Sequence, residues 1–180
     1  MLETDRLLLL QPELADAGRM LAYAIANRET LAEWEPLRQD AYYTIEFWRD
    51  QATLIADQVR MGTRAQFMLV ERSDPDGPMI GQCTISNIIR GAFHAGYVGY
   101  SLDRGHWGKG LMREALARAV AYAFDELGLH RLMANYMPRN ERSGRVLAAL
   151  GFEVEGRARA YLLIGGRWED HVMTAITNPR

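Results

Sequence analysis

Trp107-Gly108-Lys109-Gly110-Leu111-Met112-Arg113-Glu114-Ala115 is the stretch on which the fold turns. It joins a segment of strand character, Tyr97 to Leu102, to a long helical segment that opens at about Gly110. There Leu111, Ala115, Leu116, Ala119, Ala123 and Leu127 recur on one stripe, and Gly128 supplies the stop. Glycines at such a junction do one of two things. They satisfy a tight turn whose backbone angles other residues resist, or they let successive N–H groups close on an anion at the positive end of the helix dipole. The motif alone leaves both readings open. It excludes a nucleotide P-loop, because Gly110-Leu111-Met112 lacks the Lys and Ser/Thr that loop needs at the helix start. The dinucleotide fingerprint is excluded too, for want of a third glycine and an early βαβ position.

Outward from the loop, short apolar runs alternate with helical periodicity. Leu7 to Leu10 predicts a buried first strand, and Leu14 to Asn27 and Thr44 to Val59 predict helices, the second through Ile45, Trp48, Ala52, Ile55 and Val59. The turn cluster Ser73-Asp74-Pro75-Asp76-Gly77-Pro78 separates two strand-like runs, Phe67 to Val70 and Ile80 to Ile85, and predicts a hairpin rather than a domain boundary. Arg131 to Met137 predicts a strand, Ser143 to Leu150 a short helix, and Val172 to Ile176 a last strand. The order is that of a mixed α/β sheet in one domain, residues 1–180.

Composition narrows the function classes. The chain has 180 residues, 48% of them apolar, enough to bury a core without disulfides or metals. Twenty-one Lys and Arg nearly balance 23 Asp and Glu, for a formal charge of −2, which argues against a general nucleic-acid binder. A single cysteine, Cys83, forms no internal disulfide and no zinc cluster, and its mid-strand place predicts a small core residue. The acidic start Met1 to Arg6 lacks a signal peptide's basic region, and no apolar run nears the roughly 20 residues of a membrane span. A soluble cytoplasmic domain is expected, with no metal and no membrane partner.

The glycine loop, followed by Asn140-Glu141-Arg142-Ser143 and Leu150-Gly151-Phe152, resembles the GNAT N-acetyltransferase superfamily. Trp34-Glu35-Pro36, Ser86 to Ala95, His130 to Pro138 and Tyr161 to His171 narrow the resemblance to the branch that acetylates ribosomal proteins. These matches lie far apart and are more specific than the loop. Trp107 and Met112 depart from the superfamily's general loop pattern but fit that branch. The resemblance implies a central, mostly antiparallel twisted sheet of about seven strands, with a splayed parallel pair and flanking helices. It also implies acetyl-CoA as co-substrate, bound by Trp107, Gly108, Lys109, Gly110, Leu111 and Met112 at the phosphates, by Tyr100 to Leu102 along the splayed strand, and by Asn140 and Ser143. The implied acceptor is the N-terminal alanine of a small-subunit ribosomal protein, met by a monomer or homodimer. A small amine acceptor, such as a polyamine, amino acid or antibiotic, and a coenzyme-A-binding ribosome-assembly module are the alternatives.

Acyl transfer to an amine requires a neutral amine and a proton for the leaving thiolate. A protein α-amine has a pKa of about 7.7–8.0, so a useful fraction is already neutral near pH 7. A related branch pairs a Glu five residues before the Asn with a Tyr seven after it; here those positions hold Asn135 and Leu147, so that pair does not carry over. Ser143 is the candidate acid, against the plainer reading of a helix-start serine. Glu35 is the candidate base, against a solvated or capping carboxylate, and a water held by Asn135 could replace it. Asn140 reads as a helix cap from the residues and as a coenzyme contact from the resemblance. His94 has the side chain for base work, yet its place near a hairpin turn favours a structural role. Trp34, Tyr42, Tyr43 and Trp48 could line an acceptor groove or pack the second helix. Glu33, Glu35 and Asp40 could attract a basic protein.

Overall fold

The computed structural model describes residues 1–179. Leu7–Leu10 is apolar at every position because both faces of its strand are covered. Leu7 and Leu9 enter one core and Leu8 the other, as the two-residue period of a strand requires. This strand, β2, follows the two-residue β1 (Leu2–Glu3). The others are β3 (Ala65–Glu71), β4 (Gly81–Ile89), β5 (Ala95–Leu102), β6 (Arg131–Tyr136), β7 (Glu153–Ile164) and β8 (Arg167–Thr177). They form one eight-stranded sheet in the order β1-β2-β3-β4-β5-β6-β8-β7. Every neighbouring pair is antiparallel except β5–β6. The mixed α/β reading with one parallel pair holds, and the short β1 raises the expected seven or so strands to eight.

Helices cover both faces. Helix α1 (Ala17–Ala26) buries Ala17, Met20, Tyr23 and Ala24, and α3 (Ile45–Arg60) buries Trp48, Ala52 and Ile55, on the face shared with Leu8, Met68 and Val70. Between them lies a one-turn helix, α2 (Arg28–Ala32). Thr44 caps α3, its hydroxyl accepting the Phe47 N–H at 3.4 Å. The opposite face carries α4 (Leu111–Asp125) and α5 (Glu141–Ala149). Ala115, Ala119 and Ala123 let α4 sit close to the sheet over Leu9, Leu69 and Leu132.

Three sequence expectations change in detail. Leu14 to Asn27 opens as a 3-10 turn, Leu14–Asp16, before α1 begins. The short helix starts at Glu141 rather than Ser143, because Asn140 is its cap. The chain end is a long hairpin of β7 and β8, of which only Val172 to Ile176 was legible. The Ser73 to Pro78 turn joins two paired strands, as expected.

The feature that positions everything else is a short ladder. β5 and β6 pair only at Ala95↔Arg131, Gly96↔Leu132 and Tyr97↔Met133. Beyond Tyr97, β5 continues to Leu102 and β6 to Tyr136 without pairing to each other, and the sheet opens. Leu132, 0% exposed, anchors the closed end of this parting. Its truncation to Ala should cost about 2–5 kcal/mol of unfolding free energy. Urea titration checks this; a loss under about 1 kcal/mol would mean the core there collapses to fill the gap.

Candidate active site

Where β5 leaves β6, the chain runs through a 3-10 turn, Arg104–His106, into the glycine loop and α4. Gly108 and Gly110 have φ of 75° and 77°, the left-handed region in which a side chain is strained. Both therefore need glycine for the turn itself. Gly110 is also the residue before α4, whose first N–H groups have no partners within the helix. The tight-turn and anion-binding readings are thus compatible here.

Three contacts fix the loop. The Trp107 indole N–H donates to the Leu102 carbonyl at 2.9 Å, folding the loop back on the end of β5. The Arg142 guanidinium lies 3.5 Å from the centre of the Trp107 ring, a cation–π contact that brings a positive charge to the loop from α5. From outside, Arg6 donates its backbone N–H and its Nε to the Glu114 carboxylate at 2.9 and 2.7 Å, and its Nη1 to the Lys109 carbonyl at 2.9 Å. The sequence pointed to neither Arg6 nor Arg142. Leu111 and Met112 are buried in the core, which leaves backbone N–H groups as what they can offer a ligand. Lys109 is exposed and borders a separate shallow groove with Asp5 and Arg72.

The parting of β5 and β6 forms a cleft of about 510 Å³. Its first wall is the β5 edge from Val98 to Leu102, backbone polar groups that a second strand would otherwise satisfy. Tyr100 and Leu102 lie on this edge as expected, and the Leu102 carbonyl is the one Trp107 occupies. The second wall is the start of α5. The Asn140 Oδ1 accepts the Ser143 N–H at 3.2 Å, so Asn140 caps the helix while also lining the cleft. Gly144 allows α5 to lie against Tyr136; a Cβ there would fall 2.9 Å from the ring. The Ser143 and Tyr100 hydroxyls are 2.7 Å apart inside the cleft. Burial pushes Tyr100 up to about 12, with the Ser143 bond pulling partly the other way. Tyr100 thus stays protonated near neutrality and can donate to Ser143, leaving the serine proton directed elsewhere.

The far side of the cleft is built from other elements. Trp34, Glu35, Asn135 and His171 line it. The segment after α2 is pinned to the β7–β8 turn by Gly165 N–H donating to the Glu35 carbonyl at 3.1 Å. Arg139 pairs with Glu169 at 2.8 Å and donates to the Glu33 carbonyl at 3.3 Å, closing the same corner. The Glu35 carboxylate pairs with Arg38 at 2.9 Å, so it is not a free base. Tyr42 and Phe47 each pack edge to face with Trp48 at the start of α3, with Tyr42 and Trp48 centroids 5.0 Å apart, so those aromatics are packing, while Trp34 alone of the candidates reaches the cleft. His94 takes φ 42° and its carbonyl accepts the His130 N–H at 2.8 Å, which makes it a turn residue. Cys83 is buried, and burial pushes its thiol up to about 12, so it stays unreactive. No group of three or more His, Cys, Asp or Glu among the described residues could hold a metal ion.

Known proteins resemble this chain along most of its length. The family model described as "Acetyltransferase (GNAT) domain" matches residues 6–153. The Escherichia coli [ribosomal protein uS5]-alanine N-acetyltransferase is 44% identical over 178 residues, 99% of this chain and 91% of that protein. The ribosomal-protein-S5-alanine acetyltransferase of Vibrio fischeri superposes with a TM-score of 0.94 at 41% identity, covering 98% of this chain and 96% of that one. RimJ of Mycobacterium smegmatis, solved with CoA-disulfide, superposes with a TM-score of 0.88 at 29% identity, over 97% of this chain and 84% of that one.

The loop makes a direct prediction. Gly110→Ala should cost about 1–2 kcal/mol of stability, because a Cβ must be carried at positive φ. A denaturation midpoint equal to that of the unchanged protein would show that the loop relaxes into another conformation.

Proposed function

The chain belongs to the GNAT acetyltransferase family, and from that membership we propose that it moves the acetyl group of acetyl-CoA onto the N-terminal α-amine of a protein, the N-terminal alanine of small-subunit ribosomal protein uS5. The observation that carries the acceptor is the 44% identity to a uS5-alanine acetyltransferase along 99% of this chain. The opening between β5 and β6 supports the donor. Its unpaired β5 edge suits an amide-bearing arm laid alongside as an extra strand, the same bonding by which extended peptides join sheet edges. The loop's glycines and the free N–H groups of α4 suit the phosphates, with Arg142 and Arg113 adding positive charge at the mouth.

The chemistry follows from where the two walls meet. The amine nitrogen attacks the thioester carbon in a ternary complex, the carbon–sulfur bond breaks, and sulfur needs a proton. Ser143 supplies it, and Tyr100 donates to the serine oxygen behind it, with water restoring the pair. Asn140 holds the Ser143 backbone in place through its cap. Glu35 and the nearby Glu33 draw the positively charged N-terminus of a basic ribosomal protein towards the cleft. A ribosomal acceptor implies a cytoplasmic reaction. No helix among the described residues is long and apolar enough to cross a membrane.

Acetyl-CoA at about 100 times its Kd should add about 2.7 kcal/mol to stability, several degrees in Tm, and no shift would remove the donor. Ser143→Ala should lower kcat about 100-fold with little change in coenzyme affinity. Equal losses in both would make the serine a binding residue. Mass spectrometry of ribosomal proteins from cells with and without the gene should differ by one acetyl group on the uS5 N-terminal alanine. Identical masses would refute the acceptor.

A further inference from the structure

The far wall of the cleft holds a polar cluster that the transfer step above leaves unused. On β6, Leu132 and Ala134 enter the core under α4, so Met133 and Asn135 point to the other face of the sheet. Asn135 pairs with Met173 of β8, which puts His171, two residues earlier, on that same face. The face is the one where Tyr23 of α1 donates to Ser101 of β5 at 2.9 Å. Ser143 and Tyr100 lie on the opposite face, with α5. The gap in the sheet therefore has a donor side and an acceptor side, and Asn135 and His171 line the second.

Both side chains offer lone pairs there. The Asn135 Nδ2 donates to the Tyr161 hydroxyl at 3.4 Å, while its Oδ1 is buried with no hydrogen-bond partner in the protein. A buried carbonyl oxygen left bare is costly and calls for a ligand donor or water. The His171 Nδ1 lies 3.0 Å from the Glu169 carbonyl oxygen. That oxygen can only accept, so Nδ1 carries a proton, and in the neutral ring the lone pair is on Nε2. His171 is 4% exposed, and the Tyr161 ring, 5.5 Å away between centroids, holds it in place. The other charged or titratable groups around it are Tyr97 of β5 beyond Tyr161, Glu35, and Glu169, whose carboxylate Arg139 holds.

We propose that Asn135 Oδ1 and His171 Nε2 form the subsite that receives the acceptor's primary amine, and that His171 takes the proton the nitrogen sheds. This rests on the N-terminal acetyltransferase reading. As the nitrogen–carbon bond forms and the carbon–sulfur bond breaks, the surplus proton on nitrogen passes to Nε2 and then to water. The thiolate takes its proton from Ser143 on the other side of the sheet. Asn135 orients the amine by accepting one of its N–H bonds.

The test uses the full chain with acetyl-CoA and two amines, an alanine-starting peptide and spermidine, following thiol release and product mass. His171→Gln should lower kcat at pH 7 about 100-fold and leave the KM for acetyl-CoA unchanged. The deficit should shrink towards pH 9, where the more abundant hydroxide can take the same proton in the histidine's place. His171→Ala should regain about tenfold in rate on addition of imidazole, a rescue that a packing role would not give. Asn135→Ala should raise the acceptor KM about tenfold while keeping the Tm shift with acetyl-CoA. A His171→Gln rate within about threefold of the unchanged protein, or a deficit flat with pH, overturns the proposal. Turnover of spermidine but not of peptide overturns the peptide reading alone, and the same variants are then judged on spermidine. A protein that binds acetyl-CoA but acetylates neither amine overturns the subsite.

Discussion

The interaction on which the rest depends is one that stops. Three residue pairs, Ala95 to Tyr97 with Arg131 to Met133, hold β5 and β6 together, and then the ladder ends inside the sheet. Past that point each strand is held by its other neighbour, β5 by β4 up to Leu102 and β6 by β8 up to Tyr136. Backbone groups on the β5 edge face a cleft instead of a partner, which a folded chain tolerates only where water or a ligand completes them. A leucine-rich core backs this opening on the α4–α5 face. Leu132 closes its apex, Tyr136 lies against Gly144 of α5, and Tyr100 is fixed through Ser143.

A strand end, a loop and two helix starts converge at the opening because each has groups the others complete. The Leu102 carbonyl is taken by Trp107, whose ring in turn carries the Arg142 guanidinium. Arg6, near the chain's beginning, ties Glu114 and the Lys109 carbonyl together, so the turn between β1 and β2 buttresses the loop. The Arg6–Glu114 pair is partly exposed and worth little as a lone ion pair. With three bonds converging on one guanidinium and its own backbone, its value lies in fixing the geometry of the turn.

What the sequence disclosed follows what was buried. The stripe on α4, the stripe on α3 and the all-apolar β2 were legible because burial writes a period into the chain. β7 was not: Glu153 to Arg157 are all exposed, and no alternation records their pairing with β8. The glycine loop was legible as a turn, and Ser143 and Asn140 as helix-start residues, yet whether they share a cleft depends on tertiary approach. Asn140 caps the helix and also lines the cleft. His171 could not be found from its neighbours. Its face follows from the register of β8 on β6, and its ring tautomer from a backbone carbonyl two residues away.

Those placements give the opening a polarity. On the α4–α5 side the groups are donors or cations: the loop and helix N–H groups, Arg142, and the Tyr100–Ser143 hydroxyls. On the α1–α3 side Asn135 Oδ1 and His171 Nε2 are acceptors, and Glu35 is an anion paired with Arg38. A side rich in donors favours an anion and a side rich in acceptors favours a cation. The formal charge of −2 averages over this division and conceals it. On the proposed reading the proton movements stay short, out of the amine towards one face and into the thiolate from the other, with the broken ladder between β5 and β6 letting the two reactants meet through the sheet.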